Sequence, residues 1–573
     1  MTETIFRKLA DERKRLQEAD RLPPWMITAS WQLLKDKYVT PAHPDFRAIC
    51  NRVAAAAAAH TPDPENWAPK FFELLWKGWL AGSTPVVANM GVSGNSQPVS
   101  CSGNTIHDEV WDFYESQKEL GCLSQRGYGT SSYLGEIRER GADISDVPGG
   151  ASGVVPVFRD CVQVAQDISQ GSQRRGAWAG YIEINHPDVP ELLTYIKNNP
   201  EDANIGWIID EEFIQALQDG DEVANELFKE TIALRMMPGK GYYFFRDKVN
   251  AANPQMYKDR GLKVKASNLC TEIALFAGLD YTSGEEYTFS CVLSSMNAAY
   301  YDEWKGTDAV FVATVFLDCI NQEQIARGKK LKGFENIVRF AEDSRALGLG
   351  VLGFHTYLQD HSIPFGSLEA HYFNQNIFKE LHDESLRASQ WMAKEWGEPK
   401  WCKGYGVRNT HRIAIAPNLS SSLLAGGHSQ GIEPIYKNAY VQSTAAGKVE
   451  RASPALRKIM KERGIDTRAA AKRIMENSGS VQTEDWLTPH EKQVFLTAFE
   501  IPQEDILRLA STRQKYIDQA QSINLFFSAD EKEEYISAIH KQAFLDPNIK
   551  SLYYVRSEKG VLANVKECIA CHA

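Results

Sequence analysis

The segment Asn268-Leu269-Cys270-Thr271-Glu272 places an amide, a thiol and a carboxylate at alternate positions of the chain. In an extended strand such residues point to the same side, with roughly 6–7 Å between one and the next. A thiol in this setting can give up a hydrogen while the carboxylate takes a proton and the amide orients a hydroxyl. The segment therefore predicts a catalytic site centred on Cys270. The alternative is a buried cysteine beside a solvated glutamate.

The bulk properties are those of a large globular enzyme. The chain has 573 residues, of which 43% are hydrophobic, and a formal net charge of −11. This charge argues against a general nucleic-acid or anionic-membrane surface. No run of 18 apolar residues is present, and the charged start lacks the apolar core of a signal peptide. Ten scattered cysteines indicate a reducing compartment, so we expect a cytoplasmic protein with no membrane and no nucleic-acid partner.

Helical and strand-like stretches alternate over most of the chain. The first eighty residues are helix-prone, and the alanine run 54–59 ends before Thr61-Pro62-Asp63-Pro64. From Ser83 to Tyr554 no linker interrupts the composition. Short apolar runs such as Ala309–Phe316 and Arg412–Ala416 are interpreted as strands between helices, which predicts one large α/β domain.

Four further cysteines lie in settings that favour redox chemistry. Cys101 and Cys291 occur in short apolar or serine-flanked contexts, and if they meet they can cycle between dithiol and disulfide. The alternative for each is a small core residue. Cys568 and Cys571 form a Cys-x-x-Cys pair near the C-terminus, typical of redox exchange or of half a zinc site. Because only His572 is near, a terminal dithiol that carries electrons from an outside reductant is favoured.

Three other patterns have both a functional and a structural interpretation. Adjacent phenols at Tyr553 and Tyr554 can relay an oxidising equivalent, or simply pack. The serines after Pro417-Asn418, at the start of a helix, form an anion cradle or an ordinary N-cap, and Ser83-Thr84 adds hydroxyl donors. Gly348 to Gly353 matches G-x-G-x-x-G but follows a helical stretch, so we interpret it as close backbone packing rather than a dinucleotide site.

Together, and in this order along the chain, these motifs resemble the large (α) subunit of ribonucleotide reductase. The Asn268–Glu272 segment is similar to that family's radical-cysteine loop, and Cys101 and Cys291 to its reducing pair. Tyr553 and Tyr554 resemble the tyrosine dyad of class I members, and Cys568 and Cys571 their redox tail. The residues similar to the family's substrate-diphosphate contacts are Ser83, Thr84, Ser100, Asn418, Leu419, Ser420, Ser421 and Ser422.

The resemblance implies a role for each of these groups. Cys270 becomes a thiyl radical that takes the substrate's 3′-hydrogen, Glu272 removes the 3′-hydroxyl proton, and Asn268 holds the hydroxyls. Cys101 provides the acid for loss of the 2′-hydroxyl as water. Cys101 and Cys291 then end as a disulfide, which the tail cysteines reduce.

The resemblance also implies an architecture. The family fold is a ten-stranded α/β barrel with the radical cysteine on an internal loop. We expect an N-terminal helical region at residues 1–82, a barrel domain with the specificity-effector site at 83–560, and a flexible redox-active tail at 561–573. Too few residues precede Ser83 for an ATP cone, so we expect a minimal, phage-like form without dATP shut-off through a cone.

An allosteric site is implied less directly. The region from Gly127 to Arg138 resembles the loop that binds a dNTP specificity effector, with Arg138 as a phosphate contact. Its acidic ribose contact aligns with either Asn104 or Asp108. The segment Gln173-Arg174 resembles the loop that reports the effector to the substrate base, and Arg174 is the better candidate there.

The resemblance implies partners rather than a bound cofactor. We expect no metal in this chain, with the radical supplied by a dimetal small (β) subunit. The other expected ligands and partners are a nucleoside diphosphate substrate, dNTP or ATP effectors, thioredoxin or glutaredoxin as reductant, and a second copy of the chain in a homodimer.

Three other classes compete with this interpretation. An adenosylcobalamin-dependent class II reductase has the same barrel but needs no β subunit, and the adjacent tyrosines argue against it. A glycyl-radical enzyme needs a glycine loop near the C-terminus, where this chain has cysteines and where Gly560 lacks the expected setting. A catalytically silent nucleotide-binding scaffold would not need the full set of cysteines.

Overall fold

The alanine run at positions 54–59 ends one of four described helices that precede the first strand, with Ala59 as the C-cap. The Asp45 side chain caps the helix Phe46–Ala58 by accepting the backbone N–H of Ala48 at 2.8 Å. The next helix, Pro64–Trp76, has proline at its first position and Asp63 as its cap. The helical region expected at the N-terminus is confirmed.

The computed structural model describes residues 2–94, 96–145, 147–168, 176–202, 204–236, 241–444 and 447–557. The helices are α1 (Thr2–Glu18), α2 (Thr28–Lys37), α3 (Phe46–Ala58), α4 (Pro64–Trp76), α5 (Thr84–Asn89), α6 (Val110–Gln125), α7 (Val154–Asp167), α8 (Val189–Asn198), α9 (Glu211–Asp219), α10 (Glu222–Met236), α11 (Arg246–Ala251), α12 (Gln255–Arg260), α13 (Tyr301–Trp304), α14 (Ala309–Gly328), α15 (Glu335–Ser344), α16 (Phe354–Asp360), α17 (Leu368–Trp396), α18 (Leu419–Leu424), α19 (Pro454–Glu462), α20 (Thr467–Glu476), α21 (Pro489–Val494), α22 (Gln503–Gln514) and α23 (Glu533–Leu545).

The strands are β1 (Leu80–Gly82), β2 (Cys101–Thr105), β3 (Gly129–Tyr133), β4 (Asp143–Ile144), β5 (Val147–Gly150), β6 (Trp178–Glu183), β7 (Ile205–Ile209), β8 (Tyr242–Phe245), β9 (Gly278–Asp280), β10 (Glu285–Tyr287), β11 (Phe289–Asn297), β12 (Leu347–Leu352), β13 (Ala439–Thr444), β14 (Gly447–Ala452), β15 (Leu525–Phe527), β16 (Ser551–Leu552) and β17 (Val555–Ser557).

Ten chain segments close a ring. The first half consists of five parallel strands in the order β2, β3, β6, β7 and β8. The second half runs the other way, because β11 pairs with β2, and β16 with β8, both antiparallel. From β11 the ring continues to parallel β12, then through the bridges Leu349 to Ile413 and Ile415 to Gln521. The N–H of Tyr553, just after β16, donates to Ile523 O at 2.7 Å and completes the circuit. The predicted ten-stranded α/β barrel is confirmed.

The loop that carries Cys270 lies inside this ring. Its apolar residues from Leu262 to Ala277 pack in one core cluster with side chains of the barrel strands, among them Tyr181, Phe244 and Leu293. A second, larger core lies between the strands and the surrounding helices. The sequence therefore builds an inner core around the loop, as the predicted internal radical-cysteine loop requires.

One strand prediction is wrong and one glycine interpretation is confirmed. Ala309–Phe316 begins the 20-residue helix α14, which is buried on nearly all sides, and a short apolar run cannot distinguish a buried helix from a strand. The G-x-G-x-x-G residues lie on β12 and its end. A Cβ at Gly348 would lie 2.7 Å from Cys291 Sγ, so this glycine allows a close approach of neighbouring strands. Within the described ranges, no helix combines the length and apolar character needed to cross a bilayer.

Candidate active site

The segment around Cys270 is a turn, so the prediction of an extended strand is wrong. The N–H of Thr271 donates to Asn268 O at 3.3 Å, and Thr271 has a φ of 67°, in the left-handed region. Tyr181 on β6 fixes the turn by donating its hydroxyl to Asn268 O at 2.5 Å. The side-chain Oδ1 of Asn268 accepts the N–H of Ile273 at 3.2 Å. A hydrogen-bonded turn, rather than strand alternation, therefore holds the three groups in one place.

A thiol and a carboxyl group share this turn. Cys270 is half-buried, whereas Glu272 is 1% exposed. Burial raises the pKa of Glu272 to about 7, because the charged form loses its hydration. The Ser522 hydroxyl contacts both residues. Its Oγ lies 2.6 Å from the backbone oxygen of Cys270 and 3.2 Å from Glu272 Oε2. The buried Asn268 Nδ2 makes no hydrogen bond of ordinary geometry within the described residues. The turn thus offers a thiol, a proton acceptor poised near neutrality and an amide donor.

The structure brings Cys101 and Cys291 together. They are directly paired residues of the antiparallel strands β2 and β11. Paired residues of this kind have Cβ atoms about 4.5–5.5 Å apart, close to the separation that a disulfide requires. Both are thiols in this structure, and burial raises the pKa of Cys291 well above its usual value. Gln519 Nε2 lies 3.6 Å from Cys291 Sγ. The pair can therefore be oxidised with little backbone movement.

Two tyrosines whose tilted rings are in contact lead to the Cys270 thiol. The ring centroids of Tyr553 and Tyr554 are 3.9 Å apart, and the Tyr553 hydroxyl donates to Cys270 Sγ at 3.5 Å. Tyr553 is fully buried and Tyr554 is half-buried. The two residues lie between β16 and β17, where the strand is interrupted, so their rings pack against each other at an interplanar angle of 43° instead of facing opposite sides. Tyr242 packs against both rings at 5.0 and 5.6 Å.

The residues predicted to bind phosphate come from two distant segments that meet. Asn418 adopts a left-handed conformation (φ 62°) and precedes α18, in which Ser420, Ser421 and Ser422 are buried. Ser421 Oγ donates to Gly82 O at 3.4 Å, next to Ser83 and Thr84 at the start of α5. Ser295, on the same strand as Cys291, donates its hydroxyl to Asn418 Oδ1 at 3.1 Å. Ser100 Oγ lies 3.5 Å from Cys101 Sγ.

The two candidates for the acidic effector contact are separated by the structure. Asp108 lies beside Arg138: its carboxylate accepts the backbone N–H of Arg138 at 3.1 Å and pairs with the guanidinium. Asn104 instead points into the interior, where it donates to Glu119 at 3.1 Å and accepts from Ser132 at 2.7 Å. Gln173, Arg174, Cys568 and Cys571 lie outside the described residues.

Sequence reasoning missed several residues that hold this site. Tyr181, Ser522, Gln519, Asn524 and Tyr242 all contact the predicted residues, and only closure of the barrel brings them there. One signal was available: the stretch Gln519 to Asn524 is rich in polar side chains immediately before the apolar strand β15. Buried polar side chains need partners, so such a stretch indicates a polar interior.

Family comparisons agree with this geometry. The model described as "Ribonucleotide reductase, barrel domain" matches residues 99–224, 221–405 and 399–555. The model described as "Ribonucleotide reductase, all-alpha domain" matches residues 28–95. The chain therefore belongs to the ribonucleotide reductase family. Both models describe the large subunit, so the chain is a large subunit of this oxidoreductase, which confirms the resemblance drawn from its motifs.

Individual relatives are similar over nearly the whole chain. A ribonucleoside-diphosphate reductase large subunit of Frog virus 3 (isolate Goorha) is 32% identical over 537 residues, covering 88% of this chain and 92% of the viral protein. That of Invertebrate iridescent virus 3 is 29% identical, with coverages of 92% and 93%. The class Id ribonucleotide reductase alpha subunit of Actinobacillus ureae superposes with a TM-score of 0.85 at 35% identity, covering 95% of this chain and 99% of that one. The structural similarity is thus to an α subunit of the class I type.

Proposed function

We propose that this chain reduces ribonucleoside diphosphates, with Cys270 as a thiyl radical that is generated through Tyr554 and Tyr553. The observation that carries the proposal is the contact of 3.5 Å between the Tyr553 hydroxyl and Cys270 Sγ, with the Tyr554 ring packed against the Tyr553 ring. Tyr554 loses an electron and a proton to an oxidised partner, Tyr553 then does so to Tyr554, and Cys270 gives its hydrogen to Tyr553. A phenol and a thiol can both take part in such single-electron steps.

The next steps use the turn around Cys270. The thiyl radical of Cys270 takes the 3′-hydrogen atom of the substrate, and the Glu272 carboxylate takes the 3′-hydroxyl proton. The raised pKa of Glu272 suits this role, because a base with a pKa near the working pH transfers protons efficiently. Asn268 Nδ2 is placed to hold the substrate hydroxyls. The hydrogen taken by Cys270 returns to C3′ at the end, so Cys270 is regenerated as a radical.

The two-electron reduction comes from the β2–β11 pair. Cys101 gives its proton to the leaving 2′-hydroxyl, which departs as water. Cys101 and Cys291 together supply two electrons and two protons and end joined by an S–S bond. The pairing of these residues across two strands supports this role. We propose that Cys568 and Cys571 reduce the bond by thiol–disulfide exchange, with thioredoxin or glutaredoxin as the final reductant.

A single-turnover experiment is expected to trap this disulfide. When a Cys568→Ser/Cys571→Ser chain, whose tail cannot reduce the pair, turns over one equivalent of substrate with its β subunit and no external reductant, we expect peptides that contain Cys101 and Cys291 to be joined in the product. Mass spectrometry of an alkylated digest measures this directly. In Cys291→Ser the crosslink is expected to be absent, whereas the buried Cys161, which has no place in the site, provides a matched control as Cys161→Ser. A disulfide between other residues in this tail variant contradicts the assignment.

The diphosphate is proposed to bind between the starts of α18 and α5. The backbone N–H groups at the start of α18 and the hydroxyls of Ser420, Ser421 and Ser422 are neutral donors suited to phosphate oxygens. Ser83, Thr84 and Ser100 supply further hydroxyls, and Leu419 contributes its backbone N–H. The contact between Ser421 and Gly82 supports one shared binding surface.

The effector site is proposed at Asp108 and Arg138, with Gln173 and Arg174 on the reporting loop. The pairing of Asp108 with Arg138 favours it over Asn104 as the acidic contact. Helix α6 begins at Val110, two residues after Asp108. Its residues Val110, Trp111 and Tyr114 are 67%, 76% and 66% exposed. Such an apolar patch is unusual for a monomer. It supports a homodimer formed through α6, with the dNTP effector beside the interface.

A charge at this patch is expected to prevent dimerisation. In Trp111→Glu the buried face of the interface would contain an unpaired carboxylate, so we expect monomers at concentrations where the wild type with a dNTP effector is dimeric. Sedimentation velocity measures the change. The matched control is Tyr372→Glu, at another exposed aromatic residue (57%), which lies on α17. If Trp111→Glu remains dimeric, the interface lies elsewhere.

The proposals for the partner, the radical source and the cellular location follow from the similarity to class I ribonucleotide reductases. We propose a dimetal β subunit as the radical source and a cytoplasmic location, where reductants keep the cysteines of this chain reduced. The decisive test is CDP reduction with dithiothreitol and an effector, by the chain alone, with adenosylcobalamin, or with a metal-loaded β subunit. Product only with β supports the proposal. Product with adenosylcobalamin alone refutes the β-subunit requirement.

A further inference from the structure

Besides Tyr242, another tyrosine lies close to the dyad, and its hydroxyl is hydrogen-bonded to a buried carboxyl group. Tyr436 is half-buried and donates its hydroxyl to Glu433 Oε2. Glu433 is 5% exposed, and its other oxygen, Oε1, accepts from Asn524 Nδ2 at 2.6 Å. Neither Tyr436 nor Glu433 has a role in the proposed mechanism, although a buried acid is costly unless it is satisfied or used.

Two residues connect this pair to Tyr554. The Arg556 guanidinium lies over the ring of Tyr436 at 5.6 Å and over the ring of Tyr554 at 5.1 Å, so a single planar group lies against both phenols. Asn524, which donates to Glu433, also accepts the backbone N–H of Tyr554 at 2.9 Å. The two tyrosines are therefore neighbours that share the Arg556 cation, and Asn524 links Tyr554 to the carboxyl group that bonds Tyr436.

The contact between the Tyr436 hydroxyl and the Glu433 carboxyl group is the arrangement that oxidation of a phenol requires. A tyrosine that loses an electron becomes strongly acidic and must release its hydroxyl proton, so a redox-active tyrosine needs a proton acceptor in hydrogen-bond contact. Glu433 is in that position. Burial raises the pKa of Glu433 to about 6, while Arg556 acts in the opposite direction, so the group is largely a carboxylate at neutral pH.

We propose that Tyr436 is a redox-active tyrosine that exchanges the radical with Tyr554, with Glu433 as its proton acceptor. The inference rests on the proposed radical entry through Tyr554. In the exchange, Tyr436 passes one electron to the Tyr554 phenoxyl radical and its hydroxyl proton to Glu433. The Tyr554 phenoxyl takes up that electron and one proton from solvent at its half-exposed ring, and becomes a phenol again. The reverse exchange returns the radical to the path towards Cys270.

The test replaces single tyrosines with 3-aminotyrosine, a close analogue that is easier to oxidise and so retains the radical. The full-length chain with its β subunit, CDP and an effector is frozen during turnover and examined by electron paramagnetic resonance. We expect an aminotyrosyl radical with the analogue at position 436, as at 554 and 553. Tyr405 is the matched control, because its hydroxyl also donates to a carboxylate, Asp259, at 2.5 Å, yet it contacts none of these tyrosines. The analogue at 405 is expected to give no radical.

A second variant tests the proton acceptor. Glu433→Gln retains a hydrogen-bonding side chain of the same shape but cannot take a proton. It is expected to lower the radical yield at position 436 at least about tenfold, with the yield at 554 within twofold of the parent. An unchanged yield at 436 in Glu433→Gln overturns the role of Glu433. Radicals at 554 and 553 but none at 436 overturn the inference and leave the proposed function intact, whereas no radical at any of the three positions refutes the entry path itself.

Discussion

Turnover is expected to fall at least about a thousandfold when either Tyr553 or Tyr554 is replaced with phenylalanine, with nucleotide affinity unchanged. Phenylalanine keeps the ring that packs at 3.9 Å but has no hydroxyl, so it cannot pass on an oxidising equivalent. The loss is larger than packing can explain, because both substitutions conserve almost the whole side-chain volume. CDP reduction with the β subunit measures turnover, and isothermal calorimetry with CDP measures binding.

The control for these variants is Tyr405→Phe, which removes a hydroxyl–carboxylate contact outside the path and is expected to stay within about twofold of wild type. Wild-type turnover in Tyr554→Phe would exclude entry through the dyad. The radical would then have to be generated at Cys270 by another route, as in an adenosylcobalamin-dependent enzyme. Loss of turnover together with loss of CDP affinity would instead indicate that the substitution disturbs the substrate site.

The chemistry of the site was predictable from the sequence because each reactive group lies in a short motif. Cys270, the tyrosine dyad and the serines after Asn418 are all local patterns. The partnership of Cys101 with Cys291 was not predictable from the residues alone. It depends on the register between two strands that are not consecutive in the chain, and that register is set only when the two half-barrels meet.

The errors have equally physical causes. The segment from Asn268 to Glu272 was interpreted as extended because alternation is the simplest way to place three side chains together. The left-handed φ of Thr271 is not encoded by residue type, since threonine rarely adopts it. Hydrogen bonds from Tyr181 and Ser522 to backbone carbonyls of Asn268 and Cys270 hold the turn in place. Those partners come from 87 and 252 positions away, beyond the reach of any local pattern.

The second large effect is expected at Glu272. Replacing it with glutamine is expected to lower turnover at least about a hundredfold, because the amide cannot accept the 3′-hydroxyl proton. In the wild type, kcat/KM is expected to rise with pH through a pKa of about 7 as the carboxylate forms. The rise should disappear from the residual activity of Glu272→Gln. Initial rates of CDP reduction measure both effects. They are recorded on the same effector-loaded complex in roughly even pH steps between pH 5.5 and 9, on both sides of this pKa.

The same substitution is expected to stabilise the fold at high pH. The pKa of Glu272 is raised from 4.5 to about 7 in the folded state, so between these values the folded state binds more protons than the unfolded state. By linkage, the contribution of this group to stability falls as pH rises through that window, and the full penalty is present above pH 7. Glutamine does not titrate and avoids the penalty, which is on the order of 3 kcal/mol. A higher Tm for Glu272→Gln at pH 8, but not at pH 4.5, is therefore expected.

Glu119 provides the matched control for both measurements. It is a second buried carboxyl group whose pKa is raised to about 7 by burial, but it is bonded to Thr288 and Asn104, away from the Cys270 turn. Glu119→Gln is expected to gain stability above pH 7 in the same way and to keep the pH dependence of kcat/KM. If Glu272→Gln retains turnover within tenfold, the base is another group. If both variants lose the pH dependence, the titration reflects the stability of the barrel rather than proton transfer at the 3′-hydroxyl. Loss of the pH dependence in Glu272→Gln but not in Glu119→Gln assigns the proton transfer to Glu272.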